Sequence, residues 1–139
     1  MSNGDLRANS LASDHTWAGN TSVLTAGTAL TIGQAVCVGS ADSKMELAKA
    51  DAIGTMPCIG LATGSISENA TGEFLLQGFF RDDTWDWTPN GLLYISEATG
   101  GSLTQVIPTT ATNQVQVVGV AISADIILFN PGYELVEVS

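Results

Sequence analysis

The hydrophobic residues of the chain fall into short runs that alternate with turn sequences. Glycine supplies the positive φ that turns such as Asn90-Gly91 and Pro131-Gly132 need. No window keeps a 3.6-residue period over three turns, so strands are favoured over helices. The eight predicted strands are Ala35–Gly39, Lys44–Ala50, Cys58–Ile66, Gly72–Phe80, Leu92–Ser96, Gln114–Ile122, Asp125–Asn130 and Glu134–Val138. This regular spacing predicts an all-β fold, a small barrel or sandwich of about eight short strands.

A weak internal repeat supports this fold class. Gly33–Gly39 is followed by Ile59–Ala62, and Gly91–Ser96 is followed by the similar Val118–Ala121. The two copies are offset by 58 or 59 residues. Two copies of one β unit would pack face to face and close a core that neither closes alone. Chance similarity between apolar β segments is the alternative explanation.

The first 22 residues differ from the rest of the chain. They are rich in Asn, Ser, Asp and Gly, and their apolar side chains are isolated, as at Leu6, Leu11 and Trp17. So little apolar surface does not offset the entropy lost on ordering. We therefore expect residues 1–22 to form an extended arm that orders against a partner or packs on its own body. Residues 23–139 are expected to form a single β domain.

Composition and charge exclude several classes of partner. The chain has 139 residues, and its 14 acidic and 4 basic residues give a net charge of −10. The bases are scattered, whereas a phosphate-tracking surface needs clustered Lys and Arg. We therefore expect no binding of nucleic acid and no attraction to an anionic membrane. No window approaches the roughly 18 apolar residues of a membrane span, and the polar N-terminus predicts no signal peptide.

Residue types that carry catalysis are sparse. The two cysteines, Cys37 and Cys58, are expected to be reduced and partly buried. His15, the single histidine, has Asp14 and Ser13 beside it, but neighbours in sequence cannot form the relay of a hydrolase triad. A nucleophile pair of Cys37 with His15 is conceivable from composition alone. No dinucleotide, P-loop or metalloprotease motif occurs. We therefore expect no enzymatic activity, no cofactor and no bound metal.

The most distinctive local sequence is the acidic and aromatic stretch at residues 81–87. Its three carboxylates could bind a hard cation, although their spacing matches no calcium loop. They belong to Asp82, Asp83 and Asp86. Trp85 and Trp87 share one face of an extended segment and are candidate exposed contacts that could stack on a sugar ring. The simpler interpretation is that a ring caps the core while the acids stay in water.

The glycines, turns and β hydrophobics of the chain resemble those of phage structural proteins. The C-terminal half resembles a segment of tailed-bacteriophage virion proteins through Gly91–Gln105, Pro108 and Gln116–Pro131. Upstream, Ala26–Val36 with Ile59–Ala62 and Thr71–Glu73 resembles small head-decoration (cement) proteins. The likeness spans about residues 26–138 and is strongest over 91–131. Related segments also occur in tail-fibre proteins.

The resemblance implies a capsid decoration protein. Such a protein is a non-enzymatic β domain, often a homotrimer, that sits on the outer surface of the head and binds the major capsid protein. It is made in the host bacterial cytoplasm, and its N-terminal arm adds a strand to the capsid, with Leu6, Leu11 and Trp17 as candidate contacts here. The alternative is a tail-fibre or receptor-binding module in which Trp85, Trp87 and Tyr94 would contact host glycan.

Overall fold

The computed structural model describes residues 13–139, where the regular structure is antiparallel β apart from one 3₁₀ turn at Ile53–Thr55. The strands of this part are β1 (Thr16–Thr25), β2 (Ala35–Val38), β3 (Met45–Leu47), β4 (Cys58–Ala62), β5 (Thr71–Arg81), β6 (Leu92–Ile95), β7 (Leu103–Thr104), β8 (Gln114–Val115), β9 (Val117–Ala121), β10 (Ile126–Phe129) and β11 (Val136–Glu137). Within residues 13–139 no helix has the length and apolarity that crossing a bilayer requires.

The long strand β5 joins two halves of one curled sheet. The strands follow the order β3-β2-β4-β5-β10-β9-β6-β7, and β1 pairs with β5 outside this path. β5 pairs with β1 along its length, with β4 near Leu75 and with β10 over its last residues. Each half has a hairpin, β2–β3 or β6–β7, and a third strand, β4 or β9. The strand order is therefore symmetric about the β5–β10 pair, while β8 and β11 form a separate small sheet.

Backbone hydrogen bonds outside the ladders draw the two ends of the sheet together. Ala48 O accepts a hydrogen bond from Gly101 N at 2.8 Å, and Ala50 N donates to Ser96 O at 3.0 Å. Ala50 O in turn accepts from Gln114 N at 2.7 Å. These bonds link the segment after β3 to the second half of the chain. The sheet is therefore curled like part of a small barrel, and backbone hydrogen bonds bridge its two ends although β3 and β7 do not pair.

Two hydrophobic clusters lie on the two faces of the curled sheet. The inner cluster draws on both halves and includes Phe80, Leu93 and Phe129, all fully buried. The outer cluster covers only the first half, where Leu30 and its neighbours pack with Phe74. Full burial of one such side chain contributes about 1.5–3 kcal/mol. The inner cluster therefore holds the two halves together.

The all-β prediction is confirmed by these strands. Each of the eight predicted runs contains a strand, and the run Gln114–Ile122 is divided into β8 and β9. β1 and β7 were not among the predicted strands. β1 contains Gly19 and Asn20, which have low strand propensity, so its sequence alone does not mark a strand. It is a strand because β5 offers it a long partner.

β1 also crosses the arm boundary predicted near Ser22. It pairs with β5 from Thr16 to Thr25, so residues 16–22 belong to the sheet and pack on the chain's own body. A division at residue 22 would cut this strand. Trp17, a candidate capsid contact of the predicted arm, is half-buried and stacks on Phe80 with the ring centroids 6.4 Å apart. The other two candidates, Leu6 and Leu11, lie outside the described residues.

The repeat in the sequence has a counterpart in strand pairing. Gly60 lies opposite Val36 in the β2–β4 pair, and Gly119 lies opposite Leu93 in the β6–β9 pair. A register shift follows directly after each position. However, Val36 belongs to the outer cluster and Leu93 to the inner one. A one-residue slip turns side chains to the opposite face, so the two units share their strand order but not their side-chain orientation.

Two glycines allow β1 and β5 to approach closely. Gly19 lies directly opposite Gly78, and their φ angles are +155° and +148°. A Cβ at Gly78 would lie 2.2 Å from Ala18 O, and one at Gly19 would lie 2.2 Å from Gln77 O. Both obstacles are backbone atoms, so no side-chain movement can relieve the clash. The pairing therefore requires glycine at these two positions.

Replacing Gly78 with alanine should lower the free energy of unfolding by about 3 kcal/mol, a fall in Tm of roughly 10 °C for a chain of this size. The added Cβ would push the β1 backbone away from β5. Gly54→Ala is the matched control, because a Cβ there meets nothing within 4 Å. Thermal melts followed by circular dichroism compare the two variants. Equal Tm values would contradict the role assigned to the glycine pair.

Candidate functional site

Four aromatic rings form a continuous series from β1 to the β5–β6 connection. Trp17 stacks on Phe80, Phe80 meets Trp85 with centroids 5.7 Å apart, and Trp85 meets Trp87 at 5.5 Å. Phe80 is fully buried, whereas the three indole rings are half-buried against the inner cluster. Trp85 and Trp87, the candidate exposed contacts, therefore present only part of each ring to solvent.

The connection that carries these rings is shaped by hydrogen bonds to Asp82. Asp82 Oδ1 accepts from Thr84 N at 2.9 Å and from Thr84 Oγ1 at 2.6 Å. Asp82 O accepts from Trp85 N at 3.1 Å, and Trp87 N donates to Ala124 O at 2.9 Å. An aspartate that bonds the backbone two residues on makes a tight local turn. This turn sets the direction in which the chain leaves β5 and thereby positions both indole rings.

Asp82, Trp85 and Trp87 line one side of a groove of about 280 Å³. The other sides come from residues 32–34, which precede β2, and from residues 101–103, which lead into β7. Gly33 has a φ of +85°, and a Cβ there would lie 3.7 Å from Asp82 Oδ2. Glycine at this position leaves that space to the groove. The groove lies where the two halves meet, and junctions between structural units are common ligand sites.

Polar side chains line the groove beside its aromatic wall. Trp87 Nε1 is the one buried side-chain polar atom of residues 13–139 that lacks a hydrogen bond. Gln34 Oε1 accepts from Thr31 N at 2.9 Å, which leaves the amide hydrogens of Gln34 unused. Ser102 also lines the groove, and Asp82 Oδ2, outside the turn, lies 3.6 Å from His15 Nε2. The groove therefore offers both donors and an acceptor beside its aromatic wall.

The structure separates the three carboxylates of the cation candidate. Asp82 is buried, Asp86 is exposed, and Asp83 Oδ1 accepts from Arg81 Nε at 2.7 Å. This hydrogen bond raises the pKa of the Arg81 guanidinium above its ordinary value. The three do not form a common ligand set in the described part of the chain.

Asp82 lies instead beside Asp14 and His15. The ligand atoms of these three side chains all lie within 4.8 Å of one another. His15 Nδ1 is 3.6 Å from Asp14 Oδ2, and His15 Nε2 is 3.6 Å from Asp82 Oδ2. Asp14 Oδ1 also accepts from Asp83 N at 2.8 Å. These contacts join the start of β1 to the end of β5, and both His15 contacts are long at 3.6 Å.

The cysteines lie apart from His15, inside the barrel. Cys37 is opposite Cys58 in the β2–β4 pair, and both are free thiols of the inner cluster. Burial raises the pKa of Cys58 to about 12, and burial together with the nearby Glu46 carboxylate raises the pKa of Cys37. The thiolate is the reactive form of cysteine. The structure therefore does not assemble the conceivable Cys37–His15 nucleophile pair.

A row of apolar side chains crosses the outside of five strands. The cross-strand partners are Ala18, Phe79, Leu128, Val120 and Leu92, on β1, β5, β10, β9 and β6. Tyr94 and Val117 form the adjacent pair on β6 and β9. None of these seven residues, which we call the outer apolar face, belongs to either core cluster. Leu92 is 48% exposed, whereas Ala18 is buried, so among residues 13–139 this face is a partly exposed apolar surface.

β1 borders the outer apolar face with an uncharged strand edge. Among the described residues β1 pairs with β5 alone, and residues 16–25 contain no charged side chain and no proline. Proteins usually protect a free edge with charges, proline or bulges. β1 has one register shift, between Asn20 and Thr21. Among residues 13–139, its outer edge is therefore unpaired.

The sequence marks one side of the groove, the stretch at residues 81–87, but it does not mark residues 32–34 or 101–103 on the other sides. Gln34 and Ser102 belong to different halves of the chain and reach Asp82 only through closure of the barrel, so no local motif marks them. A signal for the outer apolar face did exist. Residues 92–95 are apolar at four successive positions, which is typical of a strand that is covered on both faces.

His15→Ala, or the addition of EDTA to the unchanged chain, should shift Tm by no more than about 2 °C, because the contacts of His15 are partly exposed and long. Differential scanning calorimetry measures both effects. A fall of several degrees in EDTA, reversed by a divalent cation, would instead show that Asp14, His15 and Asp82 hold a metal ion.

Cys58 should resist alkylation by iodoacetamide at pH 8 in the folded chain and react once the chain is unfolded, because its thiol is buried and neutral. The raised pKa also fixes the sign of a stability change. Below pH 9 the Cys58 thiol is neutral in both the folded and the unfolded chain, so its full contribution to the free energy of unfolding is present. As pH rises from 9 towards 12, the unfolded chain releases the thiol proton first, and that contribution is lost. Denaturant melts should show that Cys58→Ala loses less free energy of unfolding than the unchanged chain between pH 9 and 12. Rapid alkylation of the folded chain would contradict the assignment.

Comparison with known proteins assigns no relative. No protein-family model matches the chain, and no curated protein matches it. The interpretation of both surfaces therefore depends on the residues and geometry described above.

Proposed function

We propose that the chain is a non-enzymatic virion structural protein that decorates and stabilises the assembled capsid of a tailed bacteriophage. It binds the major capsid protein on the outer surface of the head, through protein surfaces alone, after synthesis in the host bacterial cytoplasm. The outer apolar face is the observation that carries this proposal. The resemblance of residues 26–138 to head-decoration proteins supplies the identity of the partner.

The outer apolar face suits docking to another protein because it is rigid and uncharged. Beneath it, Phe80, Leu93 and Ile127 are fully buried in the inner cluster, so the strands that present the face are fixed. A preformed surface loses little conformational entropy on binding. Exposed apolar patches on a soluble protein usually mark interaction sites.

The edge of β1 adds a second means of attachment. An extended segment of a partner can pair with a free strand edge, where main-chain hydrogen bonds provide affinity. Ala18 belongs both to this strand and to the outer apolar face. A partner can therefore bind the face and the edge as one continuous surface.

The distribution of charge supports the same proposal. The chain carries a net charge of −10, yet none of the seven residues of the outer apolar face is charged. Arg81 lies next to the face and is paired with Asp83. Acidic groups elsewhere on the surface would keep decorated particles apart in solution. The docking surface itself avoids that repulsion.

A further apolar surface is available for the homotrimer that the resemblance implies. Val106 and Ile107, between β7 and β8, are 73% and 48% exposed. Glu97 holds the following residues by accepting hydrogen bonds from the Thr110 hydroxyl and from Thr109 N, which lower its pKa. A trimer would multiply weak individual contacts with the capsid lattice through avidity.

Leu92→Glu should weaken binding to undecorated capsids of the encoding phage at least tenfold, because it places a charge on the most exposed residue of the outer apolar face. Ile53→Glu is the matched control, since Ile53 is 64% exposed and lies in the 3₁₀ turn, outside the face. Co-sedimentation with capsids measures binding, and thermal melts confirm that both variants are folded.

Two results would overturn the proposal. One is binding of Leu92→Glu to capsids as tight as that of the unchanged chain. The other is cryo-electron microscopy of the virion that places the protein on the tail, which would favour the tail-fibre or receptor-binding alternative.

A further inference from the structure

We propose that the groove beside Trp85 and Trp87 is a binding site for one uncharged saccharide ring. This inference goes beyond the capsid proposal, because attachment to a protein lattice requires no small-molecule site. It depends on the groove's shape, on its aromatic wall and on polar atoms without partners.

The aromatic wall provides the apolar part of such a site. The two indole rings lie 5.5 Å apart between centroids and are inclined by 50° to each other. Each is only half-buried, so each leaves part of its surface at the groove. Sugar rings present C–H groups on their faces, and these pack on aromatic surfaces that are held in a fixed orientation. In this groove, Phe80 and the turn at Asp82 hold the indole rings in a fixed orientation.

Polar side chains of the groove provide the other part. Among the described residues, the Ser102 hydroxyl and the Gln34 amide hydrogens have no partner, and Asp82 Oδ2, which lies 3.6 Å from His15 Nε2, retains lone pairs that can accept a further hydrogen bond. The hydroxyl groups of a sugar both donate and accept, so one ring can satisfy all three. Trp87 Nε1 lacks an acceptor in this structure, and a buried donor without a partner is costly. In the proposed complex a sugar hydroxyl supplies that acceptor.

The size of the groove and the charge around it define the ligand class. Its volume of about 280 Å³ lies just below the usual range of small-molecule sites, about 300–1,000 Å³, which suits a single ring rather than a long oligosaccharide. Asp82 lines the groove, Asp14 lies near it, and the whole chain is strongly acidic. Uronic and sialic acids would be repelled. The site therefore favours neutral hexoses and N-acetylhexosamines.

Saturation-transfer NMR tests this assignment with methyl glucoside, methyl galactoside, methyl mannoside and N-acetylglucosamine at millimolar concentration. N-acetylneuraminic acid and glucuronic acid are the anionic comparisons. At least one neutral sugar should bind saturably, and the anionic sugars should bind at least tenfold more weakly. Trp87→Phe keeps an aromatic ring but removes the N–H, and Ser102→Ala removes the hydroxyl. Each should weaken binding of the neutral sugar roughly threefold or more.

The matched controls are Trp17→Phe, in the same aromatic series but outside the groove, and Ser40→Ala, in an exposed turn. Both should leave sugar binding unchanged. Three results would overturn the inference: no neutral sugar binds, an anionic sugar binds more tightly, or the groove variants and their controls behave alike. Capsid binding of Leu92→Glu is measured separately, so failure of one proposal does not affect the other.

Discussion

The position of β5 between its three partner strands is the constraint on which the rest of the structure depends. β5 pairs with β1 along one side, and it connects β4 of the first half to β10 of the second. The Gly19–Gly78 contact lets the β1 backbone come close enough for this pairing. The last residues of β5 then place Phe80 in the inner cluster and Asp82 at the groove. The core, the aromatic series and the groove therefore all depend on the same strand.

A buried amide completes the pairing where the ladders are interrupted. The β2–β4 pair shifts register next to Cys58, and Gln116 replaces the missing strand partner there. Its Oε1 accepts from Cys58 N at 2.8 Å, and its Nε2 donates to Cys58 O at 2.9 Å and to Gly132 O at 2.8 Å. A buried polar group is tolerated when all its hydrogen bonds are made. Gln116 thus joins the two halves through polar contacts, in addition to the hydrophobic contacts of the inner cluster.

The strands could be predicted from sequence because their signals are local, and the site could not because its members meet through closure of the barrel. Runs such as Leu92–Ser96 carry their own β hydrophobics and end at turn residues. Gln116 sits in an apolar run, where its burial depends on a register shift in another strand. β1 was not predicted for the same reason: Gly19 is suited to a strand because of the close backbone contact with Gly78, which lies far along the chain. The aromatic stretch was recognised from its composition, but its partners Gln34 and Ser102 come from distant segments.

The two candidate surfaces use adjacent residues of one strand without competing for the same space. Successive side chains of a strand point to opposite faces, so Phe79 supports the outer apolar face while Phe80 packs in the inner cluster and against Trp85. A protein bound outside β5 would therefore contact Phe79, whereas a ligand in the groove would contact rings that lean on Phe80. Neither group needs to move for the other to bind. A chain attached through its outer face can keep its groove open, and the strand that makes the barrel rigid also separates the two surfaces.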